Sequence, residues 1–137
     1  MNQKERMLRG LAYKAWEDGL PEERMSNKMK LYEFNHCRPN DTNKQQELIY
    51  SILGKAGENL HIKSPFYCDY GYNIEVGKNF YANLNCTILD VGKVMIVDNV
   101  MFGPNVALYT LNYFNYLKYI NFFKMLYFFM YIRYSVM

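Results

Sequence analysis

Between Asp69 and Thr110 apolar residues return every sixth position, at Val76, Ala82 and Ile88, and, after two extra residues, at Ile96, Phe102 and Leu108. A second set follows four positions behind most of these, at Phe80, Cys86, Val100 and Val106. This period fits neither a helix at 3.6 nor a long strand at 2. It predicts a coiled parallel β-structure with short flat faces, each coil too small to bury its apolar side until the next stacks on it. Gly77, Asn79, Asp98, Asn99, Gly103 and Asn105 fall between the apolar positions, where corners need residues tolerant of unusual backbone angles. An antiparallel sheet with Asn-rich turns is the competing reading. Gly92-Lys93 lies in the two-residue interruption and predicts a longer corner. Leu60, Ile62 and Phe66 predict an entry strand turned at Ser64-Pro65.

The preceding residues change to helical spacing. Residues 2–17 predict an amphipathic helix burying Met7, Leu8, Leu11, Ala12, Ala15 and Trp16. Leu20-Pro21-Glu22-Glu23 opens a second helix, with proline near its first turn, whose expected buried side is Met25, Met29, Leu31 and Tyr32. A turn at 36–41 leads to a third helix over about 43–55, capped by Asp41 or Thr42, burying Leu48, Ile49, Ile52 and Leu53. The expected organisation is a small helical domain at 1–57, a partial repeat at 58–110, and an aromatic tail at 111–137.

That tail has no Gly, Pro, Asp, Glu or Thr, and 11 of its 27 residues are Phe or Tyr, so the six-residue pattern stops at Thr110. Its residue types are those favoured by AT-rich codons, and it reads as a segment not selected to continue the coil: a wrong frame, an intron, or an unrelated exon. Lys118, Lys124 and Arg133 keep its uncharged runs far short of a bilayer span of roughly 20 residues, so membrane contact is not expected. A weak interfacial segment is the functional reading of the tail that stays open. The charge of +3, on 16 basic and 13 acidic residues, gives no footprint for nucleic acid. Cys37, Cys68 and Cys86 form neither a disulfide framework nor a metal-ligand spacing, and no metal is expected. With no signal-peptide core at the N-terminus, a reduced cytoplasmic protein is expected.

The stretch FYCDYGYNIEVGKNFYANLNCTILDV, followed by DNVMFGPNVALYT, resembles the maltose and galactoside O-acetyltransferases of the hexapeptide-repeat superfamily. ERMLRGLAY, GLPEER and LYEFNH resemble that family's small N-terminal helical domain, so the resemblance covers about residues 5–110. It implies a left-handed parallel β-helix, a homotrimer with active sites between neighbouring chains, and transfer of acetyl from acetyl-CoA to a hydroxyl of maltose, glucose or a galactoside. By the same resemblance Asp69, Tyr81, Asn83 and Asp90 bind the acceptor, and Asn83 also lines the acetyl-CoA side. Asp and Asn suit bidentate recognition of sugar hydroxyls, and Tyr suits stacking on a pyranose face. Read without the resemblance, Asn83 is equally a corner residue bonding its own backbone, and Tyr81 a packing residue.

The reaction needs a base, for which histidine is the suitable side chain near neutrality. In the family a histidine follows a Tyr-Thr pair. Here Tyr109-Thr110 is present, but Tyr113 occupies the histidine's place, and a phenol with a pKa near 10 is a poor base at pH 7. The remaining histidines, His36 and His61, read as structural and exposed respectively, and Cys86 falls at an inward position where thiols are inert. The family's later coils, which hold most of the CoA, have no counterpart. The expectation is a truncated coil without acetyltransferase activity. The alternative is a truncated or mis-spliced product able only to self-associate or co-assemble. Val97 also stands where an Ile-Gly-Asp-Asn corner has glycine, a costly exchange if the corner needs positive φ.

Overall fold

The structure, a computed structural model, describes residues 1–110; residues 111–137, including Tyr113 and the aromatic tail, lie outside the described residues. Three helices come first: α1 (Gln3–Leu8), α2 (Leu20–Asn35) and α3 (Thr42–Ile52). Nine short strands follow: β1 (Lys55–Ala56), β2 (His61–Ile62), β3 (Phe66–Cys68), β4 (Ile74–Val76), β5 (Tyr81–Ala82), β6 (Cys86–Leu89), β7 (Val94–Ile96), β8 (Met101–Phe102) and β9 (Ala107–Tyr109). Every third strand pairs in parallel, giving the sheets β1-β4-β7, β2-β5-β8 and β3-β6-β9. The chain therefore winds through three faces per coil, and the antiparallel alternative is excluded.

The register explains the sequence period. Val76 pairs with Ile96, Ala82 with Phe102, and Ile88 with both Cys68 and Leu108, so inward residues stack on inward residues. Phe80, Ala82 and Cys86 are fully buried, and Phe80 meets Phe102 edge to face at 5.2 Å between ring centroids. Asn79, Asn85, Asn99 and Asn105 take the left-handed conformation at the corners, as Asn59 does in the first coil. Asparagine tolerates this region better than other side chains with a Cβ. Gly77, Asp98 and Gly103, expected to share that role, do not have positive φ, and neither does Val97. A backbone-strain argument against Val97 therefore fails, and the reason for glycine at that register lies elsewhere.

The helices close the first coil's open end. Leu31 and Phe34 of α2, and Ile49 and Ile52 of α3, form one core with Leu60, Phe66 and Ile74. The coil begins at Lys55, since β1 already pairs with β4, two to three residues ahead of the expected boundary. The entry strand is two strands, β2 and β3, with the Ser64–Pro65 bend between them in the cis form.

Two helix readings are corrected. The first helix stops at Leu8 because Gly10 enters the left-handed region and the chain after it is tied down by other means: Arg6 Nε donates to the Ala12 carbonyl at 2.7 Å, and Gln3 Oε1 accepts from the Lys14 N–H at 2.8 Å. Trp16, placed on the buried side by periodicity, is 68% exposed, and Leu8 and Leu11 are exposed too. On α2 the buried side is Leu20, Asn27, Leu31 and Phe34, while Met25, Met29 and Tyr32 face outward. A polar residue, Asn27, sits in the middle of the packed face, and that rotates the helix away from the stripe an apolar count selects.

Candidate functional site

The four residues singled out from the sequence fall into two groups on neighbouring corners. Asp69 and Asp90 follow β3 and β6 on one corner; Tyr81 lies on β5, with Asn83 on the corner between β5 and β6. The length of β6 separates the groups, roughly 13 Å for four residues in extended form.

Asp90, which by resemblance contributes an acceptor-side carboxylate, is completely buried. Its Oδ1 accepts the N–H groups of Asp69 at 3.0 Å and Tyr70 at 2.9 Å, and its Oδ2 accepts that of Asn73 at 3.3 Å. Asn73 Nδ2 returns a bond to the Asp90 carbonyl at 2.7 Å. Both carboxylate oxygens are thus committed to fixing the turn from Asp69 to Asn73. Burial pushes the Asp90 carboxyl above its usual range, and the backbone N–H bonds pull part of that back.

Asp69 sits half-buried on that fixed turn. Its N–H is held by Asp90, and its carbonyl accepts from Asn27 Nδ2 at 3.0 Å. Its carboxylate has no hydrogen-bond partner or ion pair among the described residues. Burial pushes it up, and the nearby charges of Arg24 and Lys28 on α2 act against that. This is a partly desolvated carboxylate in the field of two cations, an acceptor suited to the hydroxyls of a polyhydroxylated ligand.

Tyr81 is half-buried and stands between His61 and Met101 on its sheet. Asn83 Oδ1 accepts the Leu84 N–H at 2.8 Å, and its own N–H donates to the Phe102 carbonyl at 3.0 Å. The corner role is therefore observed for Asn83, with its Nδ2 left over. An open groove of about 450 Å³ lies on the face of β1, β4 and β7, lined by Lys55, Glu75, Met95 and Val97 among others, and none of the four residues reaches it.

None of the described histidines and buried cysteines is placed as a general base or a nucleophile. His36 caps α2, its Nδ1 at 2.8 Å from the Tyr32 carbonyl and its ring stacked on Tyr32 at 4.1 Å. His61 is exposed, with Nε2 at 3.1 Å from Asn59 Oδ1. Burial pushes the Cys86 thiol up to about 12, and Cys68 higher still, so neither supplies a thiolate. Among the described residues no cluster of His, Cys, Asp or Glu could hold a metal ion, and no helix is long and apolar enough to cross a membrane.

Sequence reasoning missed the network that ties α2 to this turn. Arg24 Nη1 donates to the Tyr70 hydroxyl and Nη2 to the Ala15 carbonyl, both at 2.6 Å. The Tyr72 hydroxyl donates to Glu23 Oε2 at 2.7 Å, and Lys4 Nζ donates to Glu23 Oε1 at 2.9 Å while lying over the Tyr72 ring. The available signal was the spacing of Glu23, Arg24, Asn27 and Lys28 on one helix, set against the alternating Tyr70 and Tyr72. Burial raises the Glu23 carboxyl, but the Tyr72 hydroxyl and the Lys4 ammonium outweigh it, and the group ends below its ordinary range. A depressed carboxyl contributes stability above its unfolded pKa and loses it as pH falls through the folded value. Glu23→Gln is therefore expected to flatten the acid side of the stability profile, compared by urea midpoints near pH 6 and near pH 3. An unchanged slope there would remove Glu23 from the network.

Residues 6–57 match the family model of the maltose acetyltransferase hexapeptide capping motif. The chain is 44% identical over 104 residues to the galactoside O-acetyltransferase of Escherichia coli, covering 76% of this chain and 51% of that protein. A maltose O-acetyltransferase from Clostridium difficile superposes with a TM-score of 0.78 at 40% identity, covering 80% of this chain and 58% of the other. A galactoside acetyltransferase in complex with coenzyme A superposes with a TM-score of 0.77 at 43% identity, covering 80% and 55%. The chain spans about half the length of the curated relatives it matches.

Proposed function

Because the chain belongs to the family of maltose and galactoside O-acetyltransferases, we propose that its first 110 residues form the acceptor-binding part of a sugar O-acetyltransferase with a left-handed β-helix. The reaction would pass acetyl from acetyl-CoA to a hydroxyl of maltose, glucose or a galactoside. The observation that carries this reading is the Asp69 carboxylate, held half-buried on a turn clamped by Asp90, in the field of the Arg24 and Lys28 charges.

In this reading Asp69 binds acceptor hydroxyls directly and Asp90 positions it. Tyr81 offers a stacking face, and Asn83 uses its remaining Nδ2 toward the acceptor or the acetyl group. A homotrimer fits the separation of the two groups. They do not converge within one chain, whereas a cleft between neighbouring chains sets one corner against another.

Binding and turnover separate here. The attacking hydroxyl needs a proton acceptor, and at the family's histidine position this sequence has Tyr113. We expect thiol release from acetyl-CoA with maltose, glucose or a galactoside to be negligible, while calorimetric titration detects sugar binding that Asp69→Asn weakens about tenfold, the loss of one charge-assisted hydrogen bond. Turnover at a typical enzymatic rate, of order 1–1,000 per second, would overturn the inactive reading. Sugar binding unchanged in Asp69→Asn would overturn the acceptor assignment.

A further inference from the structure

The register stacks Gly57, Gly77 and Val97 on one another, since Ala56 pairs with Val76 and Val76 with Ile96. The two glycines have the same physical cause. A Cβ on Gly57 would lie 2.7 Å from the Lys78 nitrogen and 2.8 Å from the Gly77 carbonyl carbon, in the coil above. A Cβ on Gly77 would run into Asp98 Oδ1 and lie 2.6 Å from the Asp98 nitrogen and 2.8 Å from the Val97 carbonyl carbon, again in the coil above. Ordinary van der Waals contact begins near 3.4 Å. At this corner the absent side chain is the space into which the next coil's backbone settles.

The other two corners are built differently. At the equivalent register the second carries Lys63, Asn83 and Gly103, and the third carries Asp69, Leu89 and Tyr109. Side chains are accommodated at both. At this register, among the described residues, only the first corner depends on glycine, and there the third coil has Val97, 72% exposed, with a Cβ and two methyls.

We propose that Val97 bars an in-register coil: a coil set over the β7–β8 corner at the spacing kept by the coils below would meet the valine side chain. Relieving the two backbone contacts takes a shift of about 0.6 to 0.8 Å before the methyls are counted. The Gly77 N–H donates to the Ile96 carbonyl at 2.8 Å, so the same shift carries the equivalent bond from Val97 past the usual limit of about 3.2 Å. An asparagine ladder runs through the described coils, with Asn59 Nδ2 donating to Asn79 at 3.0 Å and Asn79 Nδ2 to Asn99 at 2.8 Å, and a further rung would need the unshifted spacing. An open parallel edge invites end-to-end growth, and a side chain that spoils its first anchor guards against it. This holds independently of the proposed acetyl transfer.

The test is amide hydrogen exchange on the full chain and on the full chain with a copy of residues 71–90 inserted after Thr110, each with Val97 and with Val97→Gly. The insert supplies a fourth coil in register, and the Gly77 amide in the same molecule reports that the lower coils are folded. With Val97 the residue-97 amide is expected to exchange at least about a hundredfold faster than that of Gly77 in both chains. Val97→Gly in the inserted chain is expected to bring it within about tenfold. Equal protection of residue 97 with valine and with glycine would overturn the proposal. So would its absence in both inserted variants, because glycine would then not be what the register lacks.

Discussion

Asp90→Ala is expected to destabilise the protein by about 3–5 kcal/mol, measured as a urea midpoint shift at unchanged slope. The substitution strands three backbone donors, the N–H groups of Asp69, Tyr70 and Asn73, around a site that is fully buried. Each unpaired buried donor costs about 1–3 kcal/mol, partly recovered if water enters the space left behind. Asp90→Asn is expected to cost less, because one oxygen still receives two N–H groups while the new amide opposes the Asn73 donor. The penalty for alanine also has a pH signature. A carboxyl whose folded pKa is raised contributes stability that is complete below its unfolded value and is lost as pH rises through the folded one. The alanine penalty is therefore larger in acid than at neutrality, the reverse of what a simple buried ion pair would give. A loss below about 1 kcal/mol would mean that the turn holds itself without the clamp.

That clamp also marks the limit of what the sequence discloses. The coil was legible because inward residues recur on a fixed count, and a stacked register turns that count directly into burial. The corner asparagines were legible for a similar local reason: Asn79, Asn99 and Asn105 take positive φ as their residue type suggests. Asp90 was visible as a residue but not as a role, because its partners are backbone N–H groups 17 to 21 residues away, brought close only by the coil's return. Asn27 illustrates the same blindness on a helix. An apolar count on α2 passes over it, whereas its Nδ2, shared between the Cys68 carbonyl and sulfur and the Asp69 carbonyl, turns it toward the coil. Long-range polar satisfaction overrides local pattern wherever a helix packs on a turn. Candidate site residues lie at such places, so the sequence offers candidates by residue type without their geometry.

Gly71, inside the same turn, carries the second large expectation: Gly71→Ala is expected to cost about 2–5 kcal/mol. Two penalties add. Its φ of +79° is a conformation in which a Cβ costs about 1–2 kcal/mol. The new Cβ would also be driven into the Ile52 carbonyl oxygen and lie 3.0 Å from Ile52 Cγ2, at the seam where α3 meets the coil. That seam has little room to give, because the Gly71 carbonyl accepts the N–H groups of both Gly54 and Ile74 at 3.0 Å. Gly10 provides the control within the same chain. Its φ is +68° and nothing lies within 4 Å of a built Cβ, so Gly10→Ala is expected to show the conformational part alone, about 1 kcal/mol. The difference between the two substitutions measures the close approach of helix and coil. If both cost the same, the seam yields freely and Ile52 does not constrain the turn. If Gly71→Ala is the costlier, the Asp69 carboxylate is positioned from two sides, by Asp90 behind it and by the packed end of α3 beneath Gly71.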